Sequence, residues 1–86
     1  MKLTSVLDLG AAAPLWKGLH ELRGQPVTVD ASAVDRLGGQ CLQVLLAARV
    51  QWAQDGIPFS ISSPSQAFLE GAQMMMGDDD LASAET

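Results

Sequence analysis

Nucleophilic catalysis needs a nucleophile, a base and a group that orients the base. One histidine, His20, and one cysteine, Cys41, are the whole supply of imidazole and thiol in these 86 residues. His20 falls inside a segment with helical periodicity and reads as a helix-surface residue. The carboxylates Asp8, Glu21, Asp30, Asp35 and Asp55 sit at scattered positions without a spacing diagnostic of acid/base pairing. A metal centre needs three or four converging ligands, so one His and one Cys fall short unless the run Asp78–Asp80 joins them. Such a run ordinarily forms a solvated helix end. Gly38-Gly39 before a helix could expose amides to an anion, yet no Lys and Ser/Thr follow at phosphate-loop spacing. The expectation is two glycines that let a loop turn tightly against a sheet. Met74-Met75-Met76 could form a soft binding surface, but methionine at helical spacing is expected to fill a core. These residues predict a chain that is not an enzyme and holds no metal and no cofactor.

Composition narrows the class further. Hydrophobic residues make up 48% and charged residues 17%, enough apolar material for one core and too little charge for disorder. The net charge is −5, with only five scattered Lys and Arg. That balance argues against nucleic acid, whose phosphates require clustered cations. No apolar run approaches the roughly 20 residues that span a bilayer, so direct membrane insertion is not expected. A lone cysteine in an apolar pattern fits a reducing compartment, and the expected address is cytoplasmic.

Three strand and helix pairs are expected along the chain. A short strand over Lys2–Leu7 leads to Asp8 as a helix cap. Ala12, Leu15, Trp16, Leu19 and Leu22 then recur every three or four residues between Gly10 and Arg23, the mark of an amphipathic helix. Pro14 is tolerable there only near the first turn. Gly24 caps that helix in a left-handed conformation and Pro26 prevents its continuation. Val27-Thr28-Val29 forms an interior strand ending at Asp30, followed by a loop from Ala31 to Gly38. The longest periodic segment, Gly39 to Gln54, separates into two faces at about 100° per residue. Cys41, Leu42, Leu45, Leu46, Ala48, Trp52 and Ala53 make the inner face, with Arg49 snorkelling outward. Gln40, Gln43, Ala47, Gln51 and Gln54 make the other. Ile57–Ser62 alternates as a strand. Ser63 as N-cap, Pro64 at the first helical position and Gln66 completing a capping box start a third helix, with Phe68, Leu69, Ala72, Met75 and Met76 as its stripe and Gly77 as its stop. The predicted fold is α/β, a small mixed or parallel sheet of about 3–5 strands with helices packed on it. One domain over residues 1–77 and an acidic polar tail over 78–86 are expected.

Val27-Thr28-Val29-Asp30, followed by Val34-Asp35-Arg36-Leu37-Gly38-Gly39-Gln40-Cys41-Leu42-Gln43-Val44-Leu45-Leu46-Ala47-Ala48, resembles the core of the STAS domain, the fold of bacterial anti-sigma factor antagonists. In that family a strand ending in Asp leads through a loop to Asp-Ser-Ser-Gly-Leu-Gly, which opens a helix reading Val-Leu-Leu-Ala. Gly38, Gly39 and Gln40 stand where the family has Asp, Ser and the phosphorylatable Ser, and Cys41 replaces Gly. Gln40 has no hydroxyl, so the degenerate phosphosite cannot acquire the roughly −2 charge of a phosphate. The Leu-Gly-Gly wording, the Ala-rich first helix and Val-Leu-Leu-Ala-Ala followed by Trp are similar to short STAS proteins of bacterial chemotaxis clusters. The resemblance implies a signal-transduction adaptor whose partner is a histidine kinase or related signalling protein. Two alternatives remain open: a constitutive anti-sigma factor antagonist, and the cytoplasmic STAS subunit of a lipid-transport ABC complex. A homodimer is compatible with each. Neutral amides cost less to desolvate than charges, so the expected partner-binding set is Gly38, Gly39, Gln40, Gln43, Val44, Ala47, Gln51 and Gln54.

Overall fold

The computed structural model describes the backbone of residues 1–76 and the side chains of residues 1–74. The expected stop at Gly77, the tail from Asp78 and the stripe positions Met75 and Met76 lie outside the described residues or side chains. The elements follow as β1 (Val6–Leu7), α1 (Leu9–Glu21), β2 (Val27–Asp30), β3 (Arg36–Leu37), α2 (Gly39–Gln54), β4 (Phe59–Ser62) and α3 (Gln66–Met76).

Every strand pairing is parallel: β1 with β3, and β2 with β4 in the register Val27↔Phe59 to Asp30↔Ser62. The two pairs are joined by the N-terminal run. Asp30 donates its N–H to Met1 O (2.7 Å) and accepts from Leu3 N–H (2.9 Å), while Val6–Leu7 of the same run pair with β3. The expected strand over Lys2–Leu7 is therefore split, its start serving one ladder and its end the other. The expected loop from Ala31 to Gly38 contains β3, two residues too short to leave a period-2 signal. Their strand geometry exists because β1 supplies a ladder, as where Gly38 N–H donates to Leu7 O (2.8 Å).

Alternation along β2 and β4 puts Val27, Val29 and Ile61 in the core, while Thr28 and Ser60 meet outside it through their hydroxyls at 3.3 Å. Helices α1 and α2 pack on one another, and α3 packs against β3. Asp8 caps α1, accepting from Ala11 N–H at its side chain (3.2 Å). Pro14 stands at the sixth helical residue, a turn later than expected, and deprives the exposed Gly10 of a helical donor to its carbonyl. Gly24 (φ +94°) and Gly56 (φ +70°) make the left-handed turns after α1 and α2.

The cap of α3 is displaced from its predicted place. Ser63 has φ +48°, which an N-cap does not adopt. Ser65 takes the role instead: its hydroxyl accepts from Phe68 N–H (3.0 Å) and donates to Val34 O. Two apolar assignments also change. Trp16 is 55% exposed, since it lies at the border of the α1 stripe and stacks on His20. Met74 is 85% exposed and fills no core.

Among the described residues a methyl group at Gly10 would meet Asp8 Oδ1 alone, at an ordinary 3.5 Å. Gly10→Ala is expected to raise stability by about 0.5 kcal/mol through reduced chain entropy, read as a higher urea midpoint with an unchanged slope.

Candidate protein-interaction site

The start of α2 is placed by its contacts with β1. Gly38 continues the β1–β3 ladder through its N–H, and its carbonyl accepts the first bond of α2, from Leu42 N–H (3.1 Å). A Cβ at Gly38 would lie 2.8 Å from Leu7 O, so only glycine fits this approach. Cys41 Sγ donates to Asp8 O (3.4 Å), tying the first turn of α2 to the cap of α1. Among the described residues no side chain caps α2, and no acidic residue stands in its first turn, so none of them compensates the positive end of the helix dipole. Gly39 and Gln40 are exposed at that end.

The buried stripe of α2 is Cys41, Leu42, Leu45, Ala48 and Trp52. Leu46 is half-buried and Ala53 exposed, because at about 100° per residue both fall on the flank of a stripe centred near Leu45. The predicted partner-binding set is divided by α1. Gln43, Ala47 and Gln54 are exposed, and Val50, 54% exposed, stands among them although the sequence gives it no distinguishing sign. Val44 and Gln51 turn instead toward a groove between α1 and α2, which Ala47 also lines at its edge. Gln51 donates its amide to Asp55 Oδ1 (3.1 Å), and Asp55 Oδ2 accepts from Arg23 Nε (3.3 Å), so this glutamine is engaged in joining the ends of the two helices.

The residues with reactive chemistry have structural duties. Asp8 caps α1, and Asp55 pairs with Arg23 at a part-exposed site where such pairs contribute about 0–1 kcal/mol. Asp30 accepts from Ser32 N–H (2.9 Å). That backbone bond, then the Ser32 side chain, Lys2 and the amino terminus, hold its carboxyl below the ordinary 3.8. A depressed folded-state pKa stabilises the fold above the unfolded value, and that contribution is lost as pH falls through the folded one. Among the described residues no group of three His, Cys, Asp or Glu side chains converges as metal ligands would. No described helix is long and apolar enough to cross a membrane.

Cys41 is fully buried. Burial, and secondarily the negative charge of Asp8, push its thiol above the ordinary 9.0. It is expected to react with a disulfide reagent on the order of 100-fold more slowly than free cysteine at neutral pH and at the normal rate in denaturant. Native-state labelling as fast as the free thiol would show that the α2 start opens readily.

A family model described as "Mlab, STAS domain" matches residues 1–82. No curated protein and no solved structure matches. The match takes in the strand ending at Asp30, the glycine junction and all three helices, and members of this family are generally non-enzymatic modules for protein–protein interaction. The chain belongs to the STAS domain family.

Proposed function

We propose that this chain is a constitutive STAS adaptor, one domain over residues 1–77 with an acidic tail, that docks on a histidine kinase or related component of a chemotaxis-type pathway in the cytoplasm. The observation that carries the reading is the uncharged surface formed by Gly39, Gln40, Gln43, Ala47, Val50 and Gln54, all exposed on one rigid helix. Amides and small apolar groups can be covered by a partner without desolvating a charge. Gln40 at the second helical position cannot be phosphorylated, so binding is regulated by the partner or by abundance.

Pull-down from the native cytoplasm with the full chain tests the reading. Recovery of the kinase is the expected result. Its loss on Gln43→Arg with Gln54→Arg, by at least about tenfold in affinity, is expected from a desolvated interface centre. Recovery of an anti-sigma factor, or of a membrane ATPase, would replace the kinase as partner. Recovery of no signalling protein, or affinity unchanged by the double substitution, would refute docking through this face.

A further inference from the structure

The groove between α1 and α2 has features that the open face of α2 does not share. It encloses about 210 Å³. Leu19, Val44, Ala48 and Trp52 give it an apolar floor. Trp16 and His20 form one wall, their rings stacked nearly parallel (9°) with centroids 4.8 Å apart. An indole left half in water is a large desolvation gain for whatever covers it.

A cationic side chain distinguishes the groove from the uncharged open face of α2. The chain carries ten Asp and Glu against five Lys and Arg, yet among the described residues no carboxylate lines this groove; Asp55 stands at its end, bonded to the lining residues Arg23 and Gln51. Its ionisable lining residues are Arg23 and His20. Arg23 uses only Nε toward Asp55 among the described residues, and its planar fork has two further amino groups to offer an acceptor. Length sets the other constraint. Val44 to Gln51 on α2 run about 10 Å, two helical turns, and they face Trp16 and His20 of α1 and Arg23 in the turn just past its end. A helix laid in such a trough presents residues at i, i+3 or i+4, and i+7.

We infer that the α1–α2 groove seats an acidic amphipathic helix of the signalling partner, with an apolar side chain against Trp16 and a carboxylate on Arg23. The inference rests on the interaction reading above and extends that interface, through Val44, Ala47 and Gln51, onto α1.

The probes are labelled synthetic peptides of about 20 residues, enough for several helical turns, tiled across the partner recovered by pull-down and titrated with the full chain. The expected binder is an acidic amphipathic peptide. Trp16→Ala and Arg23→Glu should each weaken it at least about tenfold, both at exposed positions where far-UV circular dichroism checks that the fold persists. Asp55→Asn removes the same ion pair while keeping the guanidinium, and should leave affinity within about twofold if Arg23 acts on the partner rather than on the fold. Failure of every peptide while the intact partner binds would overturn the groove and leave docking on α2 standing. So would a basic binder, or a Trp16→Ala variant with unchanged affinity for the intact partner. Failure of the pull-down itself refutes the adaptor reading, and the groove assignment with it.

Discussion

Phe68→Ala is expected to lower stability by about 3–5 kcal/mol, the cost of losing a buried aromatic side chain and leaving a partly collapsed cavity. Phe68 has no exposed surface and belongs to the same continuous cluster as Leu7, Val29, Leu45 and Ile61. With Ala72 it carries α3 into the core, and α3 is anchored at its start by Ser65 and packs along β3. A domain of 86 residues has about 4–13 kcal/mol in total, so the substitution removes roughly a quarter or more of it. Thermal unfolding followed by circular dichroism should shift by more than about 10 °C. Met74→Ala on the same helix, at an 85% exposed position, should fall within about 0.5 kcal/mol of the parent. A Phe68→Ala effect below about 1 kcal/mol would show that α3 is an appendage to the core.

Gly38→Ala should cost about 2–3 kcal/mol, opposite in sign to Gly10→Ala. The added carbon would meet Leu7 O at 2.8 Å, a backbone atom that cannot rotate away. Relief requires β1 and β3 to separate at the pair Leu7↔Leu37, which also sacrifices the Gly38 N–H bond to Leu7 O, or requires the first turn of α2 to move. Either displaces Gly39 and Gln40, so partner affinity should fall although every exposed side chain of α2 is unchanged. Urea titration of Gly38→Ala beside Gly10→Ala is the measurement. A neutral or stabilising Gly38→Ala would refute the close approach. Gly38→Asp would add a Cβ to the same clash and should destabilise as well.

Much of the fold was legible because its physics is local. Helix α2 occupies Gly39–Gln54 as expected, since sixteen residues of sustained periodicity, opened by two glycines and closed by Asp55-Gly56, outweigh any competing pattern. The Asp8 cap, the turn at Gly24 and the strand Val27–Asp30 follow from residue types acting over a few positions. That residue 40 cannot carry a phosphate ester is likewise a fact of composition, because no packing gives Gln40 a hydroxyl.

Contacts distant in the sequence decided the rest. Arg36–Leu37 is a strand only because β1 lies beside it. Ser65 displaces Ser63 as the cap because the turn out of β4 takes a positive φ and Val34 O receives the Ser65 hydroxyl. Trp16 fits the spacing of a core stripe, yet whether a border position is covered depends on the neighbour that reaches it. Of the eight residues expected to form one binding surface, Gly38 is held in the β1–β3 ladder and the other seven separate into an open face and a groove wall because α1 packs against one flank of α2. Helical periodicity states which residues share a direction from the axis. Only the packed neighbour determines which directions are filled, which remain open, and where two helices leave a trough between them.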